Sequence, residues 1–378
     1  MNTNIENIPQ YVFTSIAEAV SQEVQPLKMF NEMCSETSEE MSRTMDSHVV
    51  QLGKAQDLIY SSQPNDNEWI LAVFDGHGNN TGYNPYTKRY GDHNLCLEAL
   101  NYLIQENLDE QNVMEMHLKK DIFDENDNPA LSLQKQLGKV CLSNGVCMTT
   151  GATMSLVKIR HDTVLKKIIV DVLSVGDSPV LIHCNGNKVF QSVIHDYENS
   201  AEIERLKKED RFFPGEKELF ESNTFEILDE THITNAKGYY FNTKYIRLAM
   251  SQSLGHIQYN GLRVVDEKGV LGLEPFKARL EFDDSDEINI KVFSDGVSDI
   301  VVPSIIHNDA EFMKTSNARE TVEYAVNRWK QNWKYCSKNA FLKLADKSTI
   351  KHHVYNFSVE KDADDTSCIS WIQTMHPK

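Results

Sequence analysis

Aspartate recurs in this 378-residue chain at the edges of apolar segments, beside glycine or a second aspartate. The run WILAVFDGHG, from Trp69 to Gly78, is an apolar strand that breaks off in Asp75-Gly76-His77-Gly78. INIKVFSDG, from Ile288 to Gly296, repeats the construction and sets Asp295 at its end. Near the C-terminus, KDADDTS places Asp364 just ahead of the strand CISWI. A strand edge is a rigid anchor for a carboxylate, and glycine lets the Gly76 carbonyl come close to an ion. Oxygen-only donors select hard cations such as Mg²⁺ or Mn²⁺, whereas zinc would call for more histidine or cysteine. Each Asp-Gly is also a turn signal by itself. The ordered set, not any single member, argues for a site.

The elements that must position these residues are mostly strands. From His48 onward β-type segments recur (HVVQL, QDLIYSS, EWILAVFD, MSLVKIR, KKIIVDVLSVG, PVLIHC, KVFQSVI), several divided by Gly, Asn or Asp turns. The last two read as a hairpin across Asn185 to Asn187. Helical periodicity marks HNLCLEALNYLIQENL, ALSLQKQLGKVCL, SAEIERLKK and ARETVEYAVNRWKQNW. In the last of these, Trp329 and Trp333 stand four apart, as helix-packing residues do. No linker or repeat divides the chain, so an α+β unit of sheets flanked by helices is expected over 46–378. Residues 1–45 read as an N-terminal extension or the first elements, and about 205–245 as a flap-like insertion near the site.

Composition narrows the partners. The formal net charge is −18 with no Lys/Arg cluster, which disfavours nucleic acid. No apolar run is long enough to span a bilayer. Seven cysteines without ligand spacing suggest free thiols in a reducing compartment, so the cytosol or nucleus is expected. A monomer is expected.

The blocks AQD at 55–57, VFDGHG at 73–78, TGAT at 150–153, VGDS at 175–178, RLAMSQSLG at 247–255, FSDG at 293–296 and DDTS at 364–367 follow one another in a familiar order. Over about residues 48 to 373 the chain thereby resembles the metal-dependent protein phosphatase family, of the protein phosphatase 2C type. The resemblance implies a four-layer αββα sandwich, two packed antiparallel sheets flanked by helices, with two Mg²⁺ or Mn²⁺ ions at one edge. Asp75 would bridge both ions and the Gly76 carbonyl would touch one. Asp295 and Asp364 would hold the other, and Asp57 would support the site from behind. The substrates would be phosphoserine and phosphothreonine in proteins.

The chemistry agrees with that resemblance. Two cations lower the pKa of a water and screen phosphoryl oxygens, so no covalent enzyme intermediate is needed. A serine or threonine alkoxide leaves poorly, and a proton donor beside it gives about 10² to 10⁴ in rate. His77, two residues after Asp75, is the candidate, with loop packing as the competing reading. The TGAT and VGDS blocks read as turn and strand-packing positions, and LAMSQSLG as a packing motif.

The chain also departs from the family pattern. Gln56 stands where many members carry an acid that holds a metal-bound water, which predicts weaker cation binding rather than loss. The family's phosphate-binding arginine has no match in VQLGKAQD. Lys54, the nearest cation, offers a point charge in its place, or is merely solvated. Met148 lies where members with a third, weaker ion have aspartate, and His256 follows Gly255 where aspartate is usual. Two other readings stay open: a weak or inactive phosphatase-like scaffold, and a hydrolase of small phosphoesters.

Overall fold

The computed structural model describes residues 41–208, 219–242, 247–258, 268–269, 272–301, 316–359 and 362–375. Among these, two large sheets dominate. The first runs in the order β1 (Met41–Val50), β21 (Thr366–Met375), β18 (Ile288–Phe293), β11 (Val180–Cys184) and β12 (Asn187–Gln191), all antiparallel. The second runs β16 (Leu254–Ile257), β8 (Met148–Ala152), β3 (Glu68–His77), β9 (Met154–Asp162), β10 (Lys167–Val175) and β17 (Phe276–Asp283), with β2 (Asp57–Asn65) also paired to β3.

Alternation along β3 explains how the sheets stack. Trp69, Leu71 and Val73 point one way, into a core shared with Val157 and Val170 of their own sheet and Ile182, Ile290 and Trp371 of the other. Trp69 and Trp371 meet there at 5.4 Å between ring centroids. Ile70, Ala72 and Phe74 point the opposite way, against α1 (Leu95–Gln105), α2 (Val113–Leu118) and α3 (Pro129–Asn144). Both faces of β3 are covered, which is why its sequence is apolar throughout rather than alternating. The outer face of the first sheet offers Leu181, Phe293 and Cys368 to α6 (Ala318–Lys330) through Val322, Ala325 and Trp329. The layers are therefore helix, sheet, sheet, helix.

Local signals set the boundaries. Asn94 caps α1 by accepting from the Leu97 N–H, and Gly145 closes α3 in a left-handed conformation. The Asn185-Gly186 turn joins β11 to β12 with both residues at positive φ, as a tight hairpin requires. Two shorter helices are α4 (Ser200–Lys208) and α5 (Asp295–Ser298). Among the described residues no helix is long and apolar enough to cross a membrane.

Smaller parts depart from the sequence reading. Residues 1–40 lie outside the described residues, and β1 starts at Met41, inside the stretch read as an extension or the first elements. Helical periodicity through Trp333 is overridden: α6 stops at Lys330, and Trp333 opens β19 (Trp333–Tyr335), which pairs in parallel with β14 (His232–Asn242). Trp333 still packs beside Trp329, because its Nε1 donates to the Arg328 carbonyl and both indoles flank Phe357. The insertion read as a flap contributes β13 (Leu219–Ile227) and β14, whose Phe225, Ile227 and Ile233 pack on the α6 side of the molecule. With β15 (Arg247–Leu248), β19 and β20 (His353–Tyr355) they form a third sheet. Residues 209–218 and 243–245 of the insertion lie outside the described residues.

Candidate functional site

The acidic residues singled out above come together where β3, the start of α5 and the loop before β21 meet. In β3, register brings Asp75 opposite Asp57 of β2. Beyond Val73, β3 leaves β9 and pairs with β8 instead, Gly76 facing Ala152 and His77 facing Gly151. Thr153, at the fork between β8 and β9, fixes the change of partner. Its N–H donates to the Asp75 carbonyl at 2.7 Å, and its Oγ1 accepts from the Asp75 N–H at 3.2 Å. Thr153 Oγ1 also lies 2.7 Å from Ser178 Oγ, so these two threonine and serine positions are structural, as read from sequence.

Asp295 opens α5 with its N–H 3.4 Å from Asp75 Oδ2. A Cβ on the next residue, Gly296, would collide with the Asp365 carbonyl and lie 3.2 Å from the Asp364 Cβ, so the 364–365 loop rests directly on this turn. Asp365 fastens a further segment. Its Oδ1 accepts from Leu52 N–H at 2.6 Å and Gly53 N–H at 3.2 Å, and its Oδ2 from Gln56 N–H at 2.6 Å. The 51–56 loop is thereby held across the acidic centre, where the Gln56 carbonyl accepts from Gly76 N–H at 2.7 Å. The Gln56 side chain reaches the Gly78 carbonyl at 3.2 Å, closing over the Asp-Gly-His-Gly turn.

Crowding acids in low dielectric penalises their charged forms. Burial, followed by Asp295 and Asp57, pushes the Asp75 carboxyl well above its ordinary range. Burial does the same to Asp57, with the Ser294 and Ser367 hydroxyls only partly offsetting it. Asp364 is pushed up to about 6 by burial and Asp295, with Lys54 pulling the other way. Asp177 also belongs to the cluster, although its block read only as a turn: burial and then Asp295 raise it well above the carboxylate range. Asp299, on the solvent side, is within electrostatic reach of Asp295, Asp177 and Asp364.

Such a cluster is relieved by protons or by cations. Both oxygens of Asp57, Oδ1 of Asp177 and Oδ1 of Asp295 are shielded from solvent without a well-formed hydrogen bond among the described residues. Among those residues no three His, Cys, Asp or Glu side chains are grouped to enclose an ion by themselves. A Mg²⁺-type ion does not need such a cage, since one or two carboxylates suffice when water, carbonyls and substrate supply the rest. The donor set therefore fits a hard, partly hydrated cation.

Lys54 is part of the same cluster. Its Nζ lies 2.6 Å from Asp364 Oδ2, with its side chain 45% exposed. Burial works to lower the ammonium's pKa, but Asp364, Asp295 and Asp75 outweigh it and raise it. His77 stands on the other side of Asp75, its Nε2 2.8 Å from His256 Nε2. Burial, and then His256, holds its pKa well below the ordinary histidine value.

The family model for Protein phosphatase 2C matches residues 33–331. The chain belongs to this family. Among solved structures, the protein phosphatase 2C fold here is similar to a C. elegans sex determining protein, at 14% identity and a TM-score of 0.46, covering 89% of this chain and 66% of that one. It is also similar to Stp1, a serine/threonine phosphatase from Staphylococcus aureus (14% identity, TM-score 0.42, 93% and 100% covered). A third is the catalytic domain of the serine/threonine protein phosphatase PstP in complex with two manganese ions (13% identity, TM-score 0.42, 89% and 100% covered). A comparison with curated proteins gave no match.

Asp177 and Asp365 lie in or against the acidic cluster, and His256 against His77, places that sequence reasoning did not assign to them. The signal for the first two was present, as the acid of VGDS and the second acid of DDTS. What each touches depends on segments far away in the chain.

Proposed function

We propose that this chain hydrolyses phosphoserine and phosphothreonine in proteins, using Mg²⁺ or Mn²⁺ held at the acidic cluster. The observation that carries the reading is the convergence of Asp57, Asp75, Asp295 and Asp364, from four separate segments, on one buried acidic centre flanked by His77 and Lys54. Asp75, Asp295 and Asp364, with the Gly76 carbonyl, are the groups that would hold the cations. When bound, the ions supply an activated water and offset phosphoryl charge.

The chain's own residues supply the rest. The clasp from Asp365 holds the 51–56 loop in place, and Asp57 lies opposite Asp75 behind the site. Lys54, half exposed at the rim, is within reach of an incoming phosphate as a point charge. His77 gives a proton to the departing serine or threonine oxygen.

The test is turnover of a phosphothreonine peptide and a chromogenic aryl phosphate, with and without Mn²⁺, for wild type and Asp295→Asn. Mn²⁺-dependent turnover of both esters, lost in Asp295→Asn, is expected. Turnover of the aryl ester alone would point to small phosphoesters. No turnover with any metal would favour the scaffold reading, which draws on the ammonium already seated on Asp364 and on Gln56 in place of an acid.

A further inference from the structure

Between the Asp-Gly-His-Gly turn and α1 the chain makes a hairpin that stands apart from the two large sheets. Its strands, β4 (Asn80–Asn84) and β5 (Arg89–His93), pair with each other, Asn80 against His93 and Asn84 against Arg89. The root of the hairpin is tied to the candidate site. Gln56 Nε2, on the loop that carries Lys54, donates to the Gly78 carbonyl at 3.2 Å and to Asn79 Oδ1 at 3.3 Å. Asn80 then fastens the first strand to β8: its Oδ1 accepts from the N–H groups of Thr149 at 3.0 Å and Thr150 at 3.2 Å, and its Nδ2 donates to the Cys147 carbonyl at 3.1 Å.

Side chains alternate along a strand, so Asn80 and Asn84 share the face turned to the body of the protein. Asn84 is buried there, its Nδ2 bonded to the Glu98 carboxylate of α1 and its Oδ1 accepting from the Tyr86 N–H at 2.9 Å and the Thr87 N–H at 3.2 Å. Tyr86, in the turn, packs on Tyr102 of α1 at 5.4 Å between centroids. The other face carries Tyr83 and Tyr90, directly opposed, with rings 5.3 Å apart and 40% and 82% exposed. Such a pair, held on a seated hairpin, offers a large contact area with little ordering left to do on binding. Lys88 and Arg89, at the far end, are exposed and have no ion-pair partner among the described residues. On a chain of net charge −18 they make a local positive spot. Asp92, the hairpin's acid, stands at the root end, opposite Thr81.

We propose that the β4–β5 hairpin is the docking surface for the substrate protein. It seats an extended segment flanking the phosphorylated residue, with an apolar side chain on Tyr83 and Tyr90 and an acidic one against Lys88 and Arg89. This rests on the phosphatase reading and names its substrate class: phosphoproteins with acidic residues at a distance from the phosphorylated one. The distance follows from the hairpin's length. From Asn79, at the Gln56 loop, to Asn84, level with Arg89, the strand advances about 17 Å, so a substrate chain meets the basic end about five residues from the rim. An acid close to the phosphorylated residue would instead face Asp92 and the acidic cluster. The tyrosines supply contact area, and the two cations supply choice of partner.

The experiment uses the full chain with Mn²⁺, a chromogenic aryl phosphate and two leucine-containing phosphothreonine peptides. About five residues from the phosphothreonine, on both sides, one peptide carries glutamate and the other glutamine. Wild type is expected to favour the glutamate peptide in KM by about two- to fivefold, the range of exposed ion pairs, and Lys88→Glu/Arg89→Glu to lose that preference. Tyr83→Ala/Tyr90→Ala should raise KM for both peptides about five- to thirtyfold with kcat held within about twofold. The aryl ester has no flanking chain to seat, so its turnover should be the same in all three proteins. A peptide KM in the tyrosine variant within about twofold of wild type, equal use of the two peptides by wild type, or a parallel loss on the aryl ester would overturn the proposal. Should wild type turn over neither ester, the phosphatase reading fails, and docking is decided by fluorescence anisotropy of the same peptides carrying a dye. Weaker binding to the tyrosine variant and a lost glutamate preference in the charge variant support it, and equal binding by all three proteins overturns it.

Discussion

On the proposed reading, Lys54 and a divalent cation would compete for the same carboxylate oxygen of Asp364. The ion pair to Asp364 is half exposed, and such pairs contribute up to about 1 kcal/mol. Lys54→Ala should therefore tighten Mn²⁺ binding by roughly up to fivefold, since 1.4 kcal/mol is tenfold, while raising KM for a phosphopeptide. Calorimetric titration with Mn²⁺ checks this, and unchanged or weaker binding would show that the ammonium does not share Asp364 with the ion. Asp75 and Asp295 were legible because a strand that ends in Asp-Gly carries its own explanation, and Asp364 because it stands just ahead of a strand. Asp177 and Asp365 were not, because a carboxylate's role depends on what lies opposite it. Asp365 acts through amides more than 300 positions earlier in the chain.

α4 is coupled to the segment leading into β16 by a buried ion pair. Glu202 takes a charge-paired hydrogen bond from Arg205 Nη2 at 2.9 Å, and accepts from Ser251 Oγ at 2.7 Å and Gln252 Nε2 at 3.0 Å. Arg205 in turn donates to the Ser251 carbonyl at 2.9 Å. Removing one partner strands the other, so Glu202→Ala should cost about 3–5 kcal/mol in urea unfolding. Burial alone would raise the Glu202 carboxyl, but Arg205 and Ser251 lower it below its ordinary 4.5. A depressed folded value means that this stabilisation is full above about pH 4.5 and fades as pH falls through the lower folded value. Wild type should lose its advantage over Glu202→Gln in that acid window, and a constant difference in melting temperature from pH 7 to about 3 would count against the pair. Element identity was largely readable from periodicity. Trp333 shows the limit: its spacing continues the helix, but the Lys334 N–H is taken by the Thr231 carbonyl at 2.8 Å and the Cys336 N–H by Ile233 at 3.0 Å. Strand pairing contributed by β14 outweighs local preference.

At the scale of the molecule, stability rests on the layer between the two sheets, and Trp371 at its centre is fully buried. Trp371→Ala should cost about 3–5 kcal/mol by urea denaturation, and a loss under 1 kcal/mol would mean that the sheets are held elsewhere. The layered order followed from apolar strands and amphipathic helices in the sequence, whereas the third sheet did not, since it joins a segment near 230 to one near 335. One pairing has a bearing on the protein's life in the cell. β1 and β21 lie side by side over ten residues, Met41 against Met375 and Val50 against Thr366, and the loops just inside them bring Lys54 and Gln56 to Asp364 and Asp365. A chain still emerging from the ribosome will have translated Asp57, Asp75, His77 and Asp295 long before the partner strand exists. Until β21 docks, the nascent polypeptide holds an unfinished acidic centre, and a protease cut ahead of Asp364 would return the chain to that state.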